Sequence, residues 1–329
     1  MANEFKIANS VDVTDAADFI PALWSDEVVA AYKKNVVVAQ LVSKINHVGK
    51  KGDTINIPSP DRDVATAKAA NTQVTVIAHT DSNIAITIDK HYEYSRVIED
   101  IVDVQALASL RRFFTDDAGY SLARQVDWHL HIQAGAWGGA TIPTVTTAPG
   151  STLTYTNSKA GVVIGGDGVT QWLDTAASSV GNGSTLTDAG LRKMTQTLDD
   201  VDVPLTERYL VIPPVEKNTL LGLPRFTEQA FVGEAGGANS IRNGLVGDIY
   251  GTPVFVSSNC GHTQGQDAST EYRAGLYFHK SAMVLVEQMG VRTQTQYKQE
   301  FLGDLLTADT IYGFGELRDN AGLVFIVPA

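Results

Sequence analysis

The chain has 329 residues, 43% hydrophobic and 19% charged, which is enough apolar material for a sizeable core in one large or two modest domains. Its 25 Lys and Arg stand against 37 Asp and Glu, and the formal net charge of -12 disfavours a protein that holds nucleic acid by neutralising phosphates. No apolar run reaches the roughly 18 residues of a membrane span, the first residues lack a signal-peptide pattern, and the single cysteine, Cys260, excludes intrachain disulfides and multi-thiolate metal sites.

Residues 1–18 are polar, with Glu4, Asp12, Asp15 and Asp18 outnumbering Lys6, and are predicted to form an irregular arm. Pro21 then suits the first turn of a short helix to about residue 32. Asp26 and Glu27 sit early in it, where the helix dipole favours anions, and Leu23 or Trp24 with Val28 and Tyr32 gives one apolar face. Gly49-Lys-Lys-Gly52 signals a turn, and Asp53-Thr-Ile-Asn-Ile57 alternates as a strand expected to stop at Pro58 and Pro60.

No proline occurs between Pro60 and Pro143, so something long and regular is expected there. The first half is β-like: Val74 and Val76, then Ile84, Ile86 and Ile88, alternate with their neighbours. The second half is helical. From Asp103, a suitable N-cap, residues 104–134 contain no breaker except Gly119, and Leu107, Leu110, Phe114, Ala118, Leu122, Val126 and Leu130 fall three or four apart. Such a rod is roughly 45 Å long. Its apolar stripe winds round the axis, so it must touch several different elements.

Residues 135–186 are rich in Gly, Thr, Ser and Ala and read as a loose or short-stranded insertion, with Val162-Val-Ile164 a scrap of pattern. Thr187 or Asp188 can cap a helix to about residue 200, Arg208-Tyr-Leu-Val-Ile212 is a buried strand, and Pro213-Pro214 opens a helix to about residue 221. This βα alternation suggests a second subdomain, interrupted by the Gly-rich stretch 233–239 and closed by a strand at 253–257. The remainder is nearly all strand: 274–278, 282–287, 291–297, 310–317 and, after an Asp319-Asn320 turn, 323–327.

A catalytic reading needs a nucleophile, an acid–base pair or a metal cage at a workable spacing, and none stands out. There is no nucleophile elbow, phosphate loop, His-Glu-x-x-His or EF-hand pattern. His129 and His131 are two apart on a helix, cannot chelate one ion from one face, and are expected at a surface or interface. Cys260 near His262 lacks an orienting carboxylate and is expected to be structural and inert. The acidic pairs Asp199-Asp200 with Asp202, and Asp100 with Asp103, are expected to be caps or solvated faces. The stretch at 233–239 lacks the following helix of a dinucleotide site, and the Asn182-Gly-Ser184 sequon has no role without secretion. No enzyme activity, cofactor or metal is expected.

The order of elements resembles the major capsid proteins of tailed double-stranded DNA bacteriophages with the fold named after phage HK97. The order is polar arm, short helix, long two-stranded excursion, long helix, βα subdomain and C-terminal strands. Three phrases carry the likeness locally: Phe19-Ile-Pro-Ala-Leu-Trp-Ser-Asp-Glu27, Lys51-Gly-Asp-Thr-Ile-Asn-Ile-Pro58 and Gly247-Asp-Ile-Tyr-Gly-Thr-Pro-Val-Phe-Val-Ser257. They look like the start of the N-terminal helix, the strand entering the extended loop and an axial-domain strand pair. The likeness spans about residues 19–327.

The resemblance implies an α+β fold laid out as an arm (1–18), a first helix and lead-in (19–49), an extended loop (50–90) and a peripheral domain with a spine helix (91–142). A Gly/Ser/Thr-rich insertion (143–186), an axial domain (187–260) and the peripheral domain's C-terminal sheet (261–329) follow. It implies a self-assembling icosahedral shell around a phage genome, with an encapsulin-like cellular compartment as the alternative. Partners would be copies of the chain in hexamers and pentamers, a separate scaffolding protein, a portal protein and a candidate decoration protein. Packaged DNA would be met by weak, non-specific contacts, and no membrane is involved. The expected location is the virion capsid, assembled in the host cytoplasm. The inter-subunit candidates are Lys50, Lys51, Asp61, Arg62, Asp63 and Lys68 on the loop, where charges of both signs alternate, and Arg111 and Arg112 on the helix.

Overall fold

The computed structural model describes residues 36–60, 65–74, 76, 81–100, 110–139, 149, 151–153, 155, 163–172, 182–223, 247–264 and 270–329. The arm, the helix expected at 20–32, Asp103 with the first turns expected after it and the Gly-rich stretch 233–239 lie outside these residues.

Two sheets and a long helix organise the molecule. The first sheet has four strands: β1 (Ser43–Asn46), β4 (Lys90–Glu99), β11 (Met283–Lys298) and β12 (Gly303–Glu316), in the order β1-β11-β12-β4. β1 is parallel to β11, and the other two pairings are antiparallel. The second sheet has seven strands: β5 (Val163–Gly165), β6 (Arg208–Ile212), β7 (Asp248–Ile249), β8 (Thr252–Val256), β9 (Gly261–Gln264), β10 (Glu271–His279) and β13 (Gly322–Pro328). Their order is β5-β13-β10-β6-β8-β7, with β9 also on β10. Separate from both is a ribbon of β2 (Thr54–Pro60) and β3 (Asp81–Thr87).

The C-terminal strands, expected as one sheet, are therefore divided. β10 and β13 complete the seven-stranded sheet, while β11 and β12 form the centre of the four-stranded one. Periodicity places residues on a face but does not choose the partner strand, so this split leaves no local trace.

Helix α2 (Leu110–Ala134) follows a four-residue α1 (Val38–Leu41) and, at 25 residues, is about 37 Å long. Ala118 and Leu122 pack on Ala308, Tyr92 and Tyr94 of the four-stranded sheet. Trp128, Leu130, Ile132 and Ala134 enter the main core together with β6, β10 and β13. The winding stripe thus joins the two sheets, as the drift of its spacing requires.

The βα region follows its local signals. Thr187 caps α3 (Asp188–Asp199) by accepting from the Gly190 N–H, and Leu191, Met194 and Leu198 face the core. Pro214 opens α4 (Pro214–Gly222), where its missing N–H costs nothing. Each aliphatic side chain buried here is worth about 1.5–3 kcal/mol.

Two local expectations fail. β2 runs through Pro58 to Pro60 instead of stopping, because in a two-stranded ribbon one edge needs no N–H donors. Residues 72–74 and 76 form no strand, and Val74 and Val76 lie open to solvent. Of the two alternatives for 143–186, loose or short-stranded, the described part follows the second: β5 pairs with β13, and Leu153, Tyr155 and Trp172 are fully buried.

Candidate functional site

The ribbon β2–β3 is anchored at its root only. Ile86 and Ile88 are buried against Val284 and Val286, with Ile55, Ile57 and Ile84 half-buried beside them. Two glycines of β12 allow this approach. A Cβ on Gly313 would stand 2.5 Å from the Thr87 carbonyl oxygen and 3.0 Å from Ile88 Cα, and one on Gly315 would stand 3.0 Å from Ile86. Beyond the root the described residues 65–74 are all exposed. Such a limb cannot cover its own surface.

The hairpin β11–β12 makes a second projection. Its strands pair from Met283 and Glu316 to Lys298 and Gly303, with register shifts between Glu287 and Arg292. In the outer half Arg292 grips Asp309 with two hydrogen bonds, Nε to Oδ1 at 3.1 Å and Nη2 to Oδ2 at 2.8 Å, and His91 Nε2 lies 3.3 Å from Oδ2. The bond from Arg292 is the main reason the Asp309 carboxyl sits below its ordinary range. At the tip Phe301 and Leu302 are 62% and 65% exposed, and Leu302 holds a left-handed φ of 46°. Two large apolar side chains on strained backbone at the end of a ribbon are features of a contact surface.

Of the residues singled out from sequence, Lys50 and Lys51 lie exposed at the ribbon root, where the Lys50 carbonyl accepts from Gln288 Nε2 at 3.2 Å. Lys68 is exposed on the limb and Arg112 on α2. Arg111 falls in α2 with its side chain outside the described residues, as are Asp61, Arg62 and Asp63 altogether. Phe301, Leu302 and Arg292 escaped sequence reading. An apolar pair inside a turn between two strands was the available signal.

The histidines expected at a surface or interface are buried within the chain. His129 bonds Tyr312 through Nδ1 at 2.7 Å and meets Tyr92 and Gln125 through Nε2, while burial, helped by the Lys90 charge, lowers its pKa to about 4. His131 is fully buried 3.8 Å from Asp127, and burial pushes its pKa down as well. Asp127 itself accepts from the N–H groups of Val38 at 2.8 Å and Ala39 at 3.3 Å and from Asn259 Nδ2 at 2.9 Å. A polar residue on a helix shows its charge in the sequence but not its burial. These groups tie α1, α2 and the link after β8 together; they do not point into a cleft.

A groove of about 290 Å³ between α1, α2 and the hairpin is lined mainly by apolar side chains such as Leu122, Val126, Leu285 and Val291 and has no Ser, Cys or His in its wall. Cys260 is buried in the main core. Among the described residues no three His, Cys, Asp or Glu gather as metal ligands, and no helix is long and apolar enough to cross a membrane.

No protein-family model and no curated protein matches the sequence. Solved structures do match. A chain from Mycobacterium phage Che8 is 22% identical with a TM-score of 0.68, over 93% of this chain and 97% of its own. A chain of the capsid of the cyanophage P-SCSP1u is 18% identical with a TM-score of 0.69, over 94% and 93%. One from the capsid of Ralstonia phage GP4 is 15% identical with a TM-score of 0.67, over 94% and 95%. At such identities it is the fold that is shared: this chain is an α+β protein built on the fold of phage capsid chains.

Proposed function

We propose that the chain is the major capsid protein of a double-stranded DNA phage, a self-assembling subunit of an icosahedral shell. The observation that carries this reading is the likeness to phage capsid chains over nine-tenths of both partners. The limb and the apolar hairpin tip support it physically, since both are exposed among the described residues in a way that suits contact with a neighbouring subunit. Structures from phage and GTA capsids do not favour the encapsulin-like alternative.

In HK97-like terms the ribbon with residues 65–74 is the extended loop, and the four-stranded sheet with α2 is the peripheral domain carrying the spine. The seven-stranded sheet with α3 and α4 is the axial domain, meeting its copies in hexamers and pentamers. A separate scaffolding protein, a portal protein and a decoration protein are the further partners, and the shell assembles in the host cytoplasm. DNA is confined mechanically, with weak contacts from an acidic chain. No catalytic role is assigned.

Expression followed by sedimentation and electron microscopy tests the reading. Capsomers or closed shells are the expected products. A chain that stays a stable monomer across micromolar concentrations, with or without phage scaffolding protein, overturns it.

A further inference from the structure

We infer that the groove between α1, α2 and β11 is a socket, and that the knob it takes is the β11–β12 hairpin tip of a second copy. The inference rests on the capsid reading and adds to it a contact with both halves named.

The knob is Phe301 with Leu302, 62% and 65% exposed. Its backbone is held still. The Phe301 N–H donates to the Lys298 carbonyl at 3.2 Å, and the Leu302 carbonyl accepts from the Asp100 N–H at 3.0 Å. The Tyr297 hydroxyl donates to Asp100 Oδ2 at 2.8 Å, which fixes the base of the turn to the chain leaving β4. A tip braced in this way has little left to order when it makes a contact.

The socket has the matching shape and chemistry. Leu122 and Val126 of α2, Leu285 and Val291 of β11 and Ala39 of α1 line about 290 Å³. An apolar cavity of about 150 Å³ takes a benzene ring, so there is room here for the Phe301 ring with the Leu302 side chain beside it. Val126 is half-buried and Val291 is 53% exposed, so the wall is open to an incoming group. The charges match as well. Lys44 and Glu287 stand exposed at the groove, Lys298 and Glu300 flank the tip, and none of the four is ion-paired among the described residues. With the tip seated, Lys298 faces Glu287 and Glu300 faces Lys44, which gives the contact one preferred orientation.

The contact cannot form within one chain. The groove's own wall reaches Val291, and from there to Lys298 β11 runs on for about 23 Å, paired with β12 from Arg292 onward. The tip is thereby held away from its own groove. Knob and socket are different surfaces, so the contact is heterologous, and repeated contacts of that kind close rings or extend lattices.

p-Benzoylphenylalanine in place of Phe301 tests the contact in assembled particles. Crosslinks between two copies, from position 301 to the peptides carrying Leu122 and Val126 or Leu285 and Val291, are expected. Crosslinks to any other segment, residues 1–35 included, or within one copy, or none, overturn the inference. Phe301→Ala should raise the subunit concentration needed for assembly about tenfold or more, with an unchanged circular dichroism spectrum because the ring is exposed in the free subunit; an unchanged threshold overturns it. Glu287→Lys and Lys298→Glu should each weaken assembly and together restore it, and losses that simply add argue against their meeting. A wild-type chain that forms no particles is a separate result: it removes the capsid reading, and this contact with it.

Discussion

Asp127→Ala should destabilise the unassembled subunit severely. The carboxylate is fully buried and accepts from two backbone N–H groups and one side-chain amide, at 2.8, 3.3 and 2.9 Å. Removing it leaves three donors without an acceptor in a site water cannot reach. A buried unpaired donor costs about 1–3 kcal/mol, and with the longest bond discounted the total is about 3–5 kcal/mol. That is a large fraction of the roughly 5–15 kcal/mol that holds a typical domain together. Asp127→Asn should cost only about 1 kcal/mol. Its oxygen still accepts from Val38, and its new N–H donors can be met by Asn259 Oδ1, which has no partner now, once that amide flips. Urea unfolding of both variants, at a concentration below assembly, gives the two midpoints. A loss under 1 kcal/mol for the alanine variant, or equal losses for the two, would refute the assignment of Asp127 as the clasp that holds α1.

Stability should depend on pH through two groups with opposite signs. His129 has a folded pKa of about 4 against an ordinary 6.5, so the unfolded chain binds the extra proton and stability falls as pH drops from about 6.5 to 4. Glu316, raised from 4.5 to about 8 by burial and then by Asp319, keeps its proton when folded, so its contribution is lost as pH rises from about 4.5 to 8. Glu316→Gln should flatten the alkaline limb of a thermal-melting profile, and an unchanged slope argues against the shift. Gly313→Val should leave the secondary structure by circular dichroism near wild type but abolish closed particles, because its side chain displaces the ribbon root from β12; normal particles would show that the root tolerates displacement. Cys260→Ser should assemble normally with about 1 kcal/mol lost to burying a hydroxyl, and an assembly defect without instability would reveal a role for the thiol. The unassembled subunit should show no detectable binding to duplex DNA at about 0.15 M salt, where screening limits charge effects to roughly 8 Å; micromolar, salt-sensitive affinity in a mobility-shift assay would contradict confinement without adhesion.

The elements that sequence exposes are those whose ends and faces are set locally. The Thr187 cap, the Pro214 start and the apolar run 208–212 each carry their own instruction within a few residues. β4 does not. Its Tyr92 and Tyr94 alternate with charged neighbours, and only the pairing with β12 and the cover of α2 make it a strand. Burial of His129 and Asp127 is equally invisible, since each is bonded by a residue more than a hundred positions away, Tyr312 for His129 and Asn259 for Asp127. Exposed contact features are the least legible of all. Lys50, Lys51, Lys68 and Arg112 show their charge in the sequence and are exposed, yet the apolar tip shows itself only once the hairpin is built.

Every early strand of the two sheets finds a late partner. β1 and β4 wait for β11 and β12, and β5 and β6 wait for β13 and β10. While the chain is being made, neither sheet can close until residues 271–328 have left the ribosome, and nascent domains tend to fold only when their full set of contacts is available. Synthesis thus imposes a clock: a truncated product lacks both cores and goes to proteolysis, and a polysome carrying many half-made copies presents no finished docking geometry. On the proposed capsid reading, copies would become competent to join one another only as whole molecules, one release event at a time.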